Sequence, residues 1–90
     1  MQLLCTNIAH FAGHSYVVIV DRFSNWVSVY KFEKAEGLIK ALRTHFITHG
    51  APEELTSDGG PEYVASETAN FLNRWQVRHR LSSAYNPHAN

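Results

Sequence analysis

Leu55-Thr56-Ser57-Asp58-Gly59-Gly60-Pro61-Glu62-Tyr63 decides how the rest of this chain reads. A short strand-like approach, Glu54 to Ser57, delivers one carboxylate, Asp58, into two glycines and a proline. Glycine admits a sharp turn with φ > 0, and Pro61 has no N–H with which to continue a ladder. Asp58 is therefore expected at a strand's end with little side-chain bulk beside it. That place suits a carboxylate that meets a metal ion or a phosphate. The same residue types also make ordinary turns for purely conformational reasons, so the motif takes its meaning from its surroundings.

Upstream, Gln2 to Ile8 reads as a strand, and Gly13-His14-Ser15 as a turn. Tyr16-Val17-Val18-Ile19-Val20 is an unbroken apolar, mostly β-branched run, the pattern of a strand buried on both faces. Asp21 to Asn25 turns the chain, and Trp26 to Phe32 carries enough aromatics and valine for a third strand. Short connections predict an antiparallel meander. The period changes at Glu33: Leu38, Ile39, Leu42 and Phe46 share one helical face, with Lys34, Lys40 and Arg43 turned away. Gly50 and Pro52 close that helix.

Downstream of Asp58, Ser66 is a candidate N-cap for a second helix that buries Thr68, Phe71, Leu72 and Trp75. Val77 to Leu81 completes the order β-β-β-α-β-α-β, and Ser82 to Asn90 is loop-like. The strands around Asp58 and Leu81 should then run parallel, each joined through a helix.

Ninety residues allow one small domain, and 44% hydrophobic content supplies a packed core. Eight basic and eight acidic residues cancel, whereas nucleic-acid binders usually carry a basic surplus. One cysteine, Cys5, excludes an internal disulfide and fits a reducing compartment. It is expected as a small core residue. No secretory signal or membrane-spanning stretch is read, which leaves a nuclear or cytoplasmic location.

Order and residues together resemble the catalytic core of a retroviral or gypsy-like retrotransposon integrase. The matching stretches are Gln2 to Cys5, Gly13 to Trp26, Gly50-Ala51-Pro52, Ser57 to Tyr63, Trp75 to His79 and Ser82-Ser83-Ala84-Tyr85-Asn86-Pro87. Six pieces in order cover nearly the whole chain, read as a partial catalytic core over residues 1–90. The resemblance implies an α/β, ribonuclease H-like fold: a mixed five-stranded sheet, three strands antiparallel and the rest parallel through helices. It also implies divalent-metal-dependent polynucleotidyl transfer, with Mg²⁺ or Mn²⁺ held by an Asp on the first strand, an Asp ending the fourth, and a Glu on a later helix.

Asp58 matches the second carboxylate. The first falls on Asn7, whose amide brings no charge. The Glu would fall at position 94, past Asn90, on a helix that with its successors would cover one sheet face and supply a dimer surface. Metal binding is accordingly expected to be weak or none, one apolar sheet face partly uncovered, and the chain prone to self-association. Neither Glu62, read as solvated, nor Asp21, read as structural, replaces a ligand. The pairs His10/His14 and His45/His49 have metal-like spacing but no third partner, and His45 and His49 are expected on a polar helix edge.

DNA is the implied partner. Arg74, Arg78, His79 and Arg80 form the densest basic cluster, and Arg78, Arg80, Ser83, Tyr85, Asn86, Pro87 and His88 are the expected DNA contacts. Three readings stand: a retroelement remnant inactive on its own, a domesticated DNA- or protein-binding module, and an enzyme completed by residues from elsewhere.

Overall fold

The computed structural model describes residues 2–81. Strands β1 (Leu3–Phe11), β2 (His14–Asp21) and β3 (Val27–Phe32) form the meander, followed by helix α1 (Lys34–His49) and strand β4 (Glu54–Ser57). Two further helices, α2 (Pro61–Val64) and α3 (Ser66–Arg74), lead to strand β5 (Arg78–Leu81). The five strands make one sheet in the order β3-β2-β1-β4-β5. The β1–β2 and β2–β3 pairs are antiparallel, and the β1–β4 and β4–β5 pairs parallel, as expected.

β1 and β2 run further than the sequence suggests. They meet at a two-residue turn, Ala12-Gly13, with φ of 51° and 79°. Positive φ at both central residues gives a turn whose twist matches that of the flanking strands. Gly13 supplies one of these angles without strain, and His14 and Ser15 are already paired with Phe11 and His10.

All three helices pack on one sheet face. Leu4, Val17, Ile19, Phe32 and Leu55 join Leu38, Ala41, Leu42 and Phe46 of α1, Tyr63 of α2 and Phe71 and Leu72 of α3 in a single buried cluster. The expected apolar faces of α1 and α3 are thus the observed ones. Phe46 stacks on Phe71, centroids 5.7 Å apart, and Trp75 closes the corner against both rings.

The other sheet face has no helix against it among the described residues. Val18 and Val20 are half-buried there, and Val27 and Val29 on β3 are 53% and 58% exposed. This agrees with the expected uncovered face. Cys5 is on the same side as Leu3 and Asn7 by strand alternation and is only partly buried. The residue read as core is thus half-open, because the strand's other side takes Leu4 and Thr6 inward.

Three local expectations are corrected. Ser66 is the first residue of α3 rather than its cap, which is Ala65. Pro61 opens a short helix instead of merely stopping a strand, because its fixed φ suits the first helical position. Positive-φ glycine occurs at Gly13 and Gly50; Gly60 is extended, with φ −60° and ψ 153°.

Candidate functional site

Parallel pairing brings the site strands together. The register Leu3↔Glu54, Leu4↔Leu55, Cys5↔Thr56, continued by two places, sets Asn7 level with Asp58. Asp58 follows β4 directly, and its Oδ1 accepts the Gly60 N–H at 3.0 Å. A Cβ on Gly60 would come within 3.2 Å of that Oδ1, whereas one on Gly59 would meet nothing. Gly60 is therefore small to leave room for the carboxylate, and not to adopt an unusual φ.

Beneath Asp58 the polar groups are tied together. Ser57 is buried; its hydroxyl lies 2.7 Å from His79 Nε2 and 3.0 Å from the Asp58 carbonyl oxygen. Tyr63 of α2 donates its hydroxyl to Thr6 Oγ1 at 2.5 Å, and Thr6 donates to the Thr56 carbonyl at 3.2 Å. Burial pushes the Tyr63 hydroxyl far above its ordinary pKa and pulls His79 below its own. Both are thus neutral at pH 7 and serve as fixed hydrogen-bonding groups linking β1, β4, β5 and α2.

His79 is accordingly not part of a basic cluster. Successive β5 residues alternate sides, so His79 enters the helix-covered face while Arg78 and Arg80 stand on the open one. There Arg78 reaches Glu54 Oε1 at 3.1 Å and Arg80 reaches Glu54 Oε2 at 3.6 Å. The two guanidinium groups share one carboxylate, leaving a net single positive charge on a surface where both arginines are about 70% exposed. Ser83, Tyr85, Asn86, Pro87 and His88 lie outside the described residues.

His45 also departs from expectation. It is 3% exposed rather than on a polar edge, 3.1 Å from the Tyr30 hydroxyl through Nδ1, with the His49 ring at 4.4 Å. Desolvation, then the neighbouring His49, lowers its pKa, opposed by Asp21. Leu38, Leu42 and Phe46 mark the face on which it falls, so the helical period that found the core also held this signal. His10 Nδ1 is 3.0 Å from the Ser15 hydroxyl across the hairpin.

The donor set does not fit a metal pair. Asp58 offers one carboxylate, already engaged by Gly60, beside an amide without charge; Glu62, half-buried rather than solvated, turns its Oε1 toward the same Gly60. Among the described residues no three His, Cys, Asp or Glu side chains are placed to hold a cation. Mg²⁺ demands anionic oxygen and gives up its waters reluctantly, so no reaction step follows from these residues alone.

The sheet order, the helix-covered face and the acidic turn after β4 define a ribonuclease H-like fold. Residues 1–87 match the integrase core domain family, and the chain belongs to it. It is 34% identical over 85 residues to the Gag-Pro-Pol polyprotein of sheep pulmonary adenomatosis virus, and 38% identical over 79 residues to the Gag-Pol polyprotein of avian reticuloendotheliosis virus. These matches cover 91% and 83% of the chain but only 5% and 7% of those polyproteins. An intasome of simian T-cell lymphotropic virus, solved with a PP2A regulatory subunit, superposes with TM-score 0.84 at 27% identity, over 94% of this chain and 33% of that one. The HTLV-2 integrase catalytic core domain, solved as a dimer with magnesium, gives TM-score 0.81 at 24% identity, over 88% of this chain and 58% of that one.

Proposed function

We propose that this chain is the retroelement integrase-core portion that contacts DNA without performing strand transfer by itself. The observation that carries the reading is Asn7, level with Asp58 in the parallel register where the family's chemistry requires a second carboxylate. With one carboxylate, Mg²⁺ or Mn²⁺ binds weakly or not at all. The expected partner is DNA, met by Arg78, Arg80 and, outside the described residues, Ser83, Tyr85, Asn86, Pro87 and His88, in the nucleus or cytoplasm. The open valine face adds self-association.

Two measurements test this reading. Titration with Mn²⁺, followed by NMR, should produce no saturating change at Asp58 or Asn7 below about 1 mM, while Asn7→Asp should bind measurably tighter. Saturation of the unmodified chain at lower metal would refute it. Fluorescence anisotropy with a duplex should show weak binding that falls steeply with salt, with a slope of only one or two phosphate contacts. Absence of any DNA binding would favour the second reading, a domesticated protein-interaction module, for which the exposed Val27 and Val29 speak.

A further inference from the structure

A concavity of about 400 Å³ opens at the end of the sheet where β1 begins, between that strand's start, the β2–β3 turn and the end of α1. Gln2, Asp21, Ser24, Trp26, His45 and His49 line it. Asp21 pairs with Leu4 near the start of β1, whereas Asp58 follows the end of the parallel β4. The two places therefore lie on opposite sides of β1 and about three residues, roughly 10 Å, apart along it.

Its electrostatics are one-sided. Asp21 Oδ1 accepts the Phe23 N–H at 2.8 Å and the Ser24 N–H at 3.4 Å. Among the described residues Oδ2 accepts only the Gln2 side-chain amide, at 3.3 Å, and so retains acceptor capacity. The Phe23 N–H above all, with the Gln2 amide, lowers the Asp21 pKa and keeps the carboxylate ionised. Helix α1 ends at the same place, where its last carbonyls carry partial negative charge. His45 is neutral there, and no lysine or arginine lines the pocket among the described residues. Trp26, 62% exposed, supplies an aromatic wall.

We infer that this pocket binds a guanidinium, the arginine side chain of a protein partner, between the Asp21 carboxylate and the Trp26 indole. A phosphate would meet Asp21 and the helix C-terminus and be repelled. A divalent ion lacks a third ligand, since no trio of His, Cys, Asp or Glu is placed for one among the described residues. Guanidinium is planar, weakly hydrated on its faces and forked, so it stacks on an indole while hydrogen-bonding a carboxylate. Phe23, 68% exposed, adds an apolar edge to the same turn, where its N–H is held by Asp21. That apolar rim suits a peptide chain rather than a free amino acid.

NMR titration of the full 90-residue chain tests this. The capped amino acid N-acetyl-arginine amide should shift the Trp26 indole N–H saturably, with a dissociation constant on the order of millimolar. The neutral citrulline counterpart should bind at least tenfold weaker. An arginine peptide with flanking apolar residues should bind at least tenfold tighter than the capped amino acid. Trp26→Ala and Asp21→Asn should each abolish the response; the Asn retains an acceptor for the turn, and unchanged amide shifts around Leu55 confirm an intact fold. Equal binding of citrulline, persistence in both variants, or no saturable shift would overturn the proposal. Saturation of the same signals by Zn²⁺ with no response to arginine would replace it with a metal site, and equal affinity of peptide and capped amino acid would remove the protein partner.

Discussion

Along β2, Val17 and Ile19 are fully buried, while Val18 and Val20, each one residue away, stay half-open. The residue types are nearly the same on both sides. What differs is the layer above: α1, α2 and α3 cover one face, and no described residue covers the other with a helix. Hydrophobicity in a strand therefore records the wish for a partner, and burial records whether one is there. Polar groups divide in the same way. The covered face hides a connected hydroxyl and imidazole network under Asp58, and the open face carries the Glu54–Arg78–Arg80 group with its two guanidinium groups exposed.

The sharpest test of this contrast is a matched pair of truncations. Leu55→Ala on the covered face removes a fully buried side chain from the middle of the core. It should cost about 2–5 kcal/mol, a large part of the roughly 5–15 kcal/mol available to such a domain. Val29→Ala on the open face should change stability by less than about 0.5–1 kcal/mol. Urea midpoints measure both, and comparable losses would break the distinction.

A smaller effect is expected from Tyr63→Phe. Without its hydroxyl, Thr6 Oγ1 loses a donor inside the covered layer. The expected loss is about 0.5–1.5 kcal/mol, and an unchanged midpoint would show that water replaces the missing group.

Acid probes the same layer differently. His45 and His79 both have pKa values lowered below the ordinary 6.5, chiefly by burial. The unfolded chain then binds protons that the folded one refuses, so stability is intact above about pH 6.5 and declines as pH falls toward the folded values. Thermal midpoints from pH 7.5 to 5 should show this decline. His79→Gln, which keeps a hydrogen-bonding group for Ser57, should flatten it in part. A midpoint that rises on acidification would reverse the assignment.

Smallest in stability is Val27→Thr with Val29→Thr. The folding midpoint should move by no more than about 0.5 kcal/mol, while sedimentation should show less self-association, because exposed apolar patches drive contact. Association unaffected by both substitutions would place the contact elsewhere.

The sheet and helices were legible because two periods separate cleanly at Glu33: alternation and apolar runs before it, the spacing of Leu38, Leu42 and Phe46 after it. Asp58 was legible because Gly-Gly-Pro leaves a carboxylate at a strand's end whatever the strand pairs with. The conformation of those glycines was not, since glycine permits both signs of φ and only the close approach of Gly60 to Asp58 selects its role. The apolar run at Tyr16 to Val20 overstated burial, because a sequence shows what a face asks for and not what covers it. His79 was misplaced among the arginines because adjacency along a strand means opposite sides of the sheet. His45 was misplaced because its polarity outweighed its position on the buried side of α1, where Tyr30 receives it.

The register of β1 also bears on the order of assembly. Its antiparallel partner closes through the two residues Ala12 and Gly13, whereas its parallel partner arrives from fifty residues away, as between Thr6 and Thr56. Short-range contacts form before long-range ones are entropically accessible. The meander β1–β3 is then the early-folding half, and the β4–β5 half docks last. Opening from the native state should retrace that sequence. Pulse-labelled hydrogen exchange should find the amides of Val17 and Ile19 protected earlier than those of Leu55 and Thr56. Asn7 and Asp58, carried one on each half, would then become neighbours only at the final step of folding.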